Sequence, residues 1–283
     1  MRILYLFILL LNQIMQAFPI ININIGTTGL LIPYSIGALA YIKKNLNICD
    51  YHLTGISGGS FASVIYHLEN DMSNHDRLWD KLIGNGNGNG NGNDNGNGND
   101  NGNGNDNGNG NGNGNGNGNG NGNGNGNGNG NNYNVKINKN LEEFQQIIKK
   151  NIINNYKNVD INNIPISVVV SRINNFKIIN EKINKFNSLN ELLDICICSS
   201  YIPYISGKTF SMKYKNNNYI DGGIFRNLHH FDCVDKCERS IYIHKQMAKR
   251  KFEYKDYFYL DKNTSRKLFN YGWSDCEMIY KKW

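Results

Sequence analysis

Leu53-Thr54-Gly55-Ile56-Ser57-Gly58-Gly59-Ser60 sets a serine between glycines at G-x-S-x-G spacing, directly behind a short apolar run. The pattern is that of a nucleophile elbow: a strand ends in a sharp turn into a helix, and the serine at the bend is held in a strained backbone conformation. Gly55 and Gly59 lack the Cβ atoms that would collide at such a turn. The serine hydroxyl is then expected to stand exposed. The N–H groups and dipole of the following helix face the same spot, where they stabilise negative charge developing on an attacked carbonyl. Glycine and serine are common, so the octapeptide alone also reads as an ordinary turn, and its context has to decide.

That context is a second motif far downstream. Tyr219-Ile220-Asp221-Gly222-Gly223 puts an acid at the end of a short apolar segment and follows it with two glycines that let the backbone turn tightly. Between the two lies Cys198-Ser199-Ser200-Tyr201-Ile202-Pro203, a helix end running into an Ile-Pro corner. In this order, G-x-S-x-G, then S-x-I-P, then D-G-G, the chain resembles the patatin-like phospholipases, from about Ile20 to the C-terminus with one large interruption. The resemblance implies that Ser57 is the nucleophile and Asp221 its partner in a serine–aspartate dyad without histidine. It also implies a lipid acyl hydrolase that cleaves fatty acyl esters of phospholipids or neutral lipids and calls on no cofactor and no metal. Physical logic agrees, because a carboxylate within reach of the hydroxyl can take its proton during attack and return it to the departing group. Taken alone, Asp221 in Asp-Gly-Gly also fits a bend aspartate.

The chain departs from the resemblance at the oxyanion loop. Patatin-like proteins resemble one another in a loop of the form G-G-G-x-[RK]-G between the first strand and the first helix. Here the matching place, after Ile21-Asn22-Ile23-Asn24-Ile25, reads Gly26-Thr27-Thr28-Gly29-Leu30-Leu31-Ile32-Pro33. Two glycines remain, the basic residue is missing, and β-branched threonine suits close approach poorly. Gly26, Thr27, Thr28 and Gly29 are the oxyanion-loop candidates, with an ordinary strand-to-helix turn as the alternative. The same departure motivates a rival: a lipid-binding protein that kept the fold and lost turnover. A further rival is an α/β-hydrolase esterase with a Ser-Asp-His triad, since His229, His230 and His244 follow Asp221 in the chain.

Composition bounds the rest. From Gly84 to Asn132 the sequence is an almost strict Asn-Gly alternation, broken by Asp94, Asp100 and Asp106. With no apolar side chain, nothing there offsets the entropy lost on ordering, so the run is expected to be a disordered insertion in one domain spanning residues 18–283. Residues 1–17, with Arg2 before the apolar run Ile3 to Leu11, have the outline of a signal peptide or N-terminal anchor, which points to the secretory pathway or a membrane. The six cysteines lack the density of a disulfide scaffold and are expected to be buried thiols. The formal net charge of +7 is concentrated late, in Lys245-Gln246-Met247-Ala248-Lys249-Arg250-Lys251 and at Arg266-Lys267, which suits an anionic membrane surface as well as it suits a solvated helix face. No nucleic-acid-reading motif accompanies it.

Along the folded parts, strand-like and helix-like patterns alternate. Strands are expected at Ile20 to Ile25, Tyr51 to Thr54, Ile166 to Val170 and Ile241 to Ile243. Helices are expected from Pro33 to Lys44, Gly58 to Leu68 and His75 to Ile83, around Leu141 to Ile152, after the capping box Ser188-Leu189-Asn190-Glu191, and in the charged C-terminal sequence. The alternation predicts an α/β fold, a mainly parallel sheet covered by helices on both faces, with the nucleophile at a strand's C-terminal end.

Overall fold

The alternation Ile21-Asn22-Ile23-Asn24-Ile25 has the period of a strand with one apolar and one polar face. The computed structural model describes residues 20–84, 135–175, 177–224, 239–248, 251–253, 256 and 259–281, and these five open it as β1. In order the elements are β1 (Ile21–Ile25), α1 (Ile32–Asn45), β2 (Tyr51–Ile56), α2 (Gly58–Leu68), α3 (His75–Leu82), β3 (Val135–Lys136), α4 (Ile137–Asn155), β4 (Ile166–Asn174), β5 (Lys177–Ile183), α5 (Leu189–Ser199), β6 (Met212–Tyr214), β7 (Asn217–Asp221), β8 (Arg239–Ile243), β9 (Tyr259–Leu260) and α6 (Lys262–Tyr280). The expected leader, most of the Asn-Gly run, His229, His230, Cys233 and Cys237 lie outside the described residues.

Seven strands form one mixed sheet, so the α/β class holds. Its centre is parallel, in the order β8, β1, β2, β4. Its far side is antiparallel, because β5 and β7 both run against β4, and β6 pairs with β7 as a hairpin. β6, antiparallel to β7, runs with β4 again, so five of the seven strands point one way and the sheet is mostly parallel, as expected. The two hairpin turns carry Asn175 and Lys215 at positive φ.

β4 is longer than any one neighbour and is shared lengthwise. β5 lines one flank, from Val168 to Asn174. On the opposite flank, β2 occupies the first part, ending with Ile56 opposite Val169, and β7 occupies the remainder, ending with Asp221 opposite Val170. The two strands run in opposite directions and meet head on. The residue after Ile56 is Ser57, so the register alone brings Ser57 and Asp221 together.

Alternation sorts the side chains of the sheet. Ile23, Ile25, Leu53, Ile166, Val168, Val170, Ile241 and Ile243 share one hydrophobic cluster with side chains from all six helices. Those helices contact one another in a continuous series, so they form one layer on the apolar face. The opposite face carries Asn22, Asn24, Thr54 and Ser167, all buried, where helix-covered sheets carry apolar side chains. Ile56 and Val169 lie on that same buried face as a separate small cluster, and among the described residues the helices pack on the first face.

Helix boundaries follow local chemistry. Pro33 opens α1, Lys43 and Lys44 sit in its last turn, and Asn74 caps α3 by accepting the Arg77 N–H. Ser188 caps α5 through the Glu191 N–H at 3.1 Å, while Glu191 Oε2 reaches back to the Asn187 N–H at 2.8 Å. α1 and α6 cross where Gly37 meets the backbone of Phe269 and Gly272 meets that of Tyr34, so a Cβ at either position would strike a carbonyl. Arg266 pairs with Asp76 and Lys267 with Asp256, which ties this basic pair to acidic partners.

Candidate active site

Ser57 links β2 to α2 with φ 56° and ψ −132°, a backbone conformation that a side chain makes costly by about 1–3 kcal/mol. The surroundings hold it there from both sides. Its N–H donates to Ser199 Oγ at 2.8 Å, and that hydroxyl donates to the Val169 carbonyl at 2.6 Å. Its own carbonyl accepts the Ser60 N–H at 2.9 Å and the Ser60 hydroxyl at 2.6 Å. Gly55 lies in the ladder between Ile25 and Val168. Gly59 is required by close approach: a Cβ there would fall 2.5 Å from the carbonyl oxygens of Ile25 and Gly26. With the Ser60 N–H bound to Ser57, the N–H groups of Gly58 and Gly59 are those that α2 itself cannot satisfy.

Asp221 ends β7, its N–H donating to the Tyr201 carbonyl at 2.8 Å, and the Gly222 N–H donates to the Ser199 carbonyl at 3.0 Å. The end of α5 therefore grips both halves of the site, with Ser199 bonded to each. Asp221 Oδ1 accepts the Gly223 N–H at 2.7 Å. Burial pushes the carboxyl up to about 6, while the Ser57 hydroxyl and the Gly223 N–H pull the other way by favouring the charged form. Oδ2 nonetheless completes no hydrogen bond of ordinary geometry.

The elbow was expected to expose its hydroxyl, but Ser57 and Asp221 are each 1 % exposed. The loop Gly26 to Gly29 packs beside the elbow and the Asp-Gly-Gly turn. The Gly26 carbonyl lies against Gly59, Thr28 Oγ1 and the Gly29 carbonyl against Gly58, and the Thr27 side chain fills the space where Gly223 has no Cβ. Residues 26 to 29 thus lie beside Ser57. Gly26 is not a free donor, however, since its N–H extends the β1–β8 ladder to the Ile243 carbonyl at 2.8 Å. Gly29 takes the positive φ, 54°, and Thr28 Oγ1 is buried without a partner.

His244 directly follows β8, and β1 lies between β8 and β2. Elsewhere among the described residues, a Ser–His–Asp chain joins Ser265, His75 and Asp76, with Ser265 Oγ 2.8 Å and Asp76 Oδ1 2.9 Å from the imidazole nitrogens. It clasps α3 to α6, and Asp76 is also held by Arg266. Cys196, Cys198 and Cys276 are buried thiols as expected, each pushed up to about 12 by burial, whereas Cys49, just ahead of β2, is exposed.

The segment Cys198 to Pro203 is marked in the sequence, but its pattern assigns Ser199 no task. The available signal was a small hydroxyl residue at the very end of an apolar helix, where a side chain can reach a neighbouring backbone. No protein-family model matches the chain, and the comparison with curated proteins finds no match.

Proposed function

We propose that this protein is a patatin-like lipid acyl hydrolase using a serine–aspartate dyad. The observation that carries the reading is the meeting of β2 and β7 along one flank of β4, which leaves a strained serine next to a buried acid of raised pKa.

In this mechanism Asp221, ionised above about pH 6, accepts the Ser57 proton as Oγ attacks the ester carbonyl. The N–H of Gly58, at the start of α2, and N–H groups of the Thr27 to Gly29 stretch are the donors proposed for the oxyanion, reinforced by the helix dipole. Collapse of the intermediate breaks the ester C–O bond, and Asp221 returns the proton to the departing alcohol. Water, activated by the same carboxylate, then releases the fatty acid and restores Ser57. Since both groups are 1 % exposed, an ester reaches them only after a neighbouring segment moves aside.

The test is hydrolysis of a mixed panel of phospholipids and neutral lipids, read as free fatty acid and lysolipid by mass, with a fluorophosphonate probe for Ser57. Wild-type protein is expected to release fatty acid and take the label, and Ser57→Ala and Asp221→Asn to do neither while remaining folded. Activity retained in either variant refutes the dyad. One observation favours a silent lipid-binding protein instead, namely the Gly26 N–H being consumed by β8 in a loop that carries two threonines. A folded wild-type protein that binds lipid but never takes the probe would decide for it.

A further inference from the structure

Immediately after Tyr201, whose carbonyl holds the Asp221 N–H, the chain leaves the site through Ile202-Pro203-Tyr204-Ile205-Ser206-Gly207-Lys208-Thr209-Phe210. This segment exposes large apolar side chains in succession: Tyr204 is 71 % exposed, Ile205 46 % and Phe210 50 %. Single exposed apolar residues need no explanation, but three within seven positions, two of them aromatic rings 6.1 Å apart, form a patch.

The patch is presented by a rigid knuckle. The Ile205 and Ser206 N–H groups donate to the Ile202 carbonyl at 3.1 and 2.9 Å, and the Tyr204 N–H donates to the Thr209 carbonyl at 3.2 Å. Ser206 Oγ accepts the Ile202 N–H at 2.9 Å, and the Tyr201 hydroxyl lies 2.6 Å from Thr209 Oγ1. Tyr204 itself has φ 61°, a strained value for a side chain of its size, and its ring stands exposed on the knuckle. A segment so thoroughly bonded to itself has little conformational freedom left to lose, so displaying its apolar residues costs little further entropy on binding.

We propose that this knuckle is the surface by which the protein docks on a lipid bilayer, with Tyr204, Ile205 and Phe210 entering the interfacial region. The chemistry fits that partner. Aromatic side chains with a polar tip favour the headgroup boundary, and Lys208 between the rings and Lys213 beyond them are exposed cations suited to anionic headgroups. Glu142 reaches beside Gly207, so the attraction to anionic lipid is an increment on apolar insertion rather than its source. Among the described residues no helix is long and apolar enough to cross a membrane, so this docking does not depend on a described membrane span. The purpose of docking rests on the acyl-hydrolase reading, since it would bring ester bonds to the edge of the Ser57–Asp221 site, but the binding itself does not.

The experiment uses the full chain and vesicles of ether-linked phosphatidylcholine, with and without ether-linked phosphatidylglycerol, which cannot be hydrolysed at an acyl ester. Wild-type protein is expected to cosediment with both, more tightly with the anionic ones. Tyr204→Ser and Phe210→Ser should each weaken binding roughly tenfold, the effect of withdrawing about 1.4 kcal/mol of apolar burial, with unchanged thermal midpoints because both side chains are exposed. In Tyr204→Trp the indole emission should shift to the blue on adding vesicles. The proposal is overturned if wild-type protein ignores both vesicles or if the serine variants bind as well as wild type. It is equally overturned if the Tyr204→Trp emission stays that of indole in water while the protein is bound, or responds only to a second protein. Binding without hydrolysis of ester lipids would instead strike the acyl-hydrolase reading and leave the docking surface standing.

Discussion

Ser199 accepts the backbone N–H of Ser57 at 2.8 Å across 142 residues of sequence. Its hydroxyl stands where β2 stops pairing with β4, and takes over the bond that the Val169 carbonyl would otherwise lack. Ser199→Ala leaves a buried donor and a buried acceptor unsatisfied, at about 1–3 kcal/mol each, and frees the elbow to relax from its strained φ. The variant is expected to unfold at lower urea and to react with a fluorophosphonate at Ser57 at least tenfold more slowly, with Ser199→Thr recovering part of the rate because it keeps the hydroxyl. Equal labelling rates for wild type and Ser199→Ala would show that Ser199 only fills space.

Asp221→Asn should separate stability from activity. The folded carboxyl titrates at about 6, above its ordinary 3.8, so it favours the fold fully below the lower value and loses that contribution as pH rises through the upper one. Above pH 7 the buried charge costs the wild type about 3 kcal/mol. The asparagine variant is therefore expected to be the more stable protein at pH 8, by about 2–3 kcal/mol in denaturant titrations, with no such gain at pH 4, and to hydrolyse nothing. The companion expectation is a wild-type kcat/KM that falls on the acid side of about pH 6, where Asp221 is protonated and cannot accept the Ser57 proton.

Gly272→Ala pits helix propensity against packing. Alanine is the better helix former by about 1 kcal/mol, yet its methyl would strike the Tyr34 carbonyl, part of a backbone that cannot swing away. Packing is expected to win, with a net loss of about 1–3 kcal/mol in urea unfolding and a lowered thermal midpoint. A stabilised variant would mean that α1 and α6 do not cross there.

Acid stability provides a fourth measurement. Burial lowers the pKa of His52, His67 and His75, so the folded state keeps them neutral while the unfolded chain protonates near 6.5. Their contribution is present above that pH and is lost as pH falls below it. The thermal midpoint should therefore drop between about pH 7 and 5, and His75→Gln should flatten the decline. Asp221 acts in the opposite sense over the same window, so the comparison is cleanest in the Asp221→Asn background.

The parts of the fold legible in the sequence were those that local chemistry dictates. Glycine spacing around Ser57 marked the elbow, and α2 occupies Gly58–Leu68 as expected, because an elbow must be followed by a helix. Propensity ends β2 at Thr54, yet it runs on to Ile56, since its pairing with Val168 and Val169 continues through a glycine that propensity alone discounts. The hairpin strand β5 escaped notice because Ile178 and Ile179 are adjacent rather than alternating and face solvent at a sheet edge. Ser57 and Asp221 could be named from motif order, but their meeting is a matter of strand register, which no local pattern encodes. Ser199 carries only the weak mark of a hydroxyl at a helix end, because its partners, the Ser57 N–H and the Val169 carbonyl, meet it only once β2 and β4 are paired.

That shared flank gives the protein a ruler. The alcohol and the acid arrive from chain segments more than 160 residues apart, yet each strand end is gauged against consecutive positions of a single strand, Val169 and Val170. Lengthening a connecting loop or repacking an outer helix leaves that one-residue interval unchanged. A slip of β4 against either neighbour would carry one partner away from the other, so tolerance for change in this molecule should be lowest along one strand that contributes no reacting group at all.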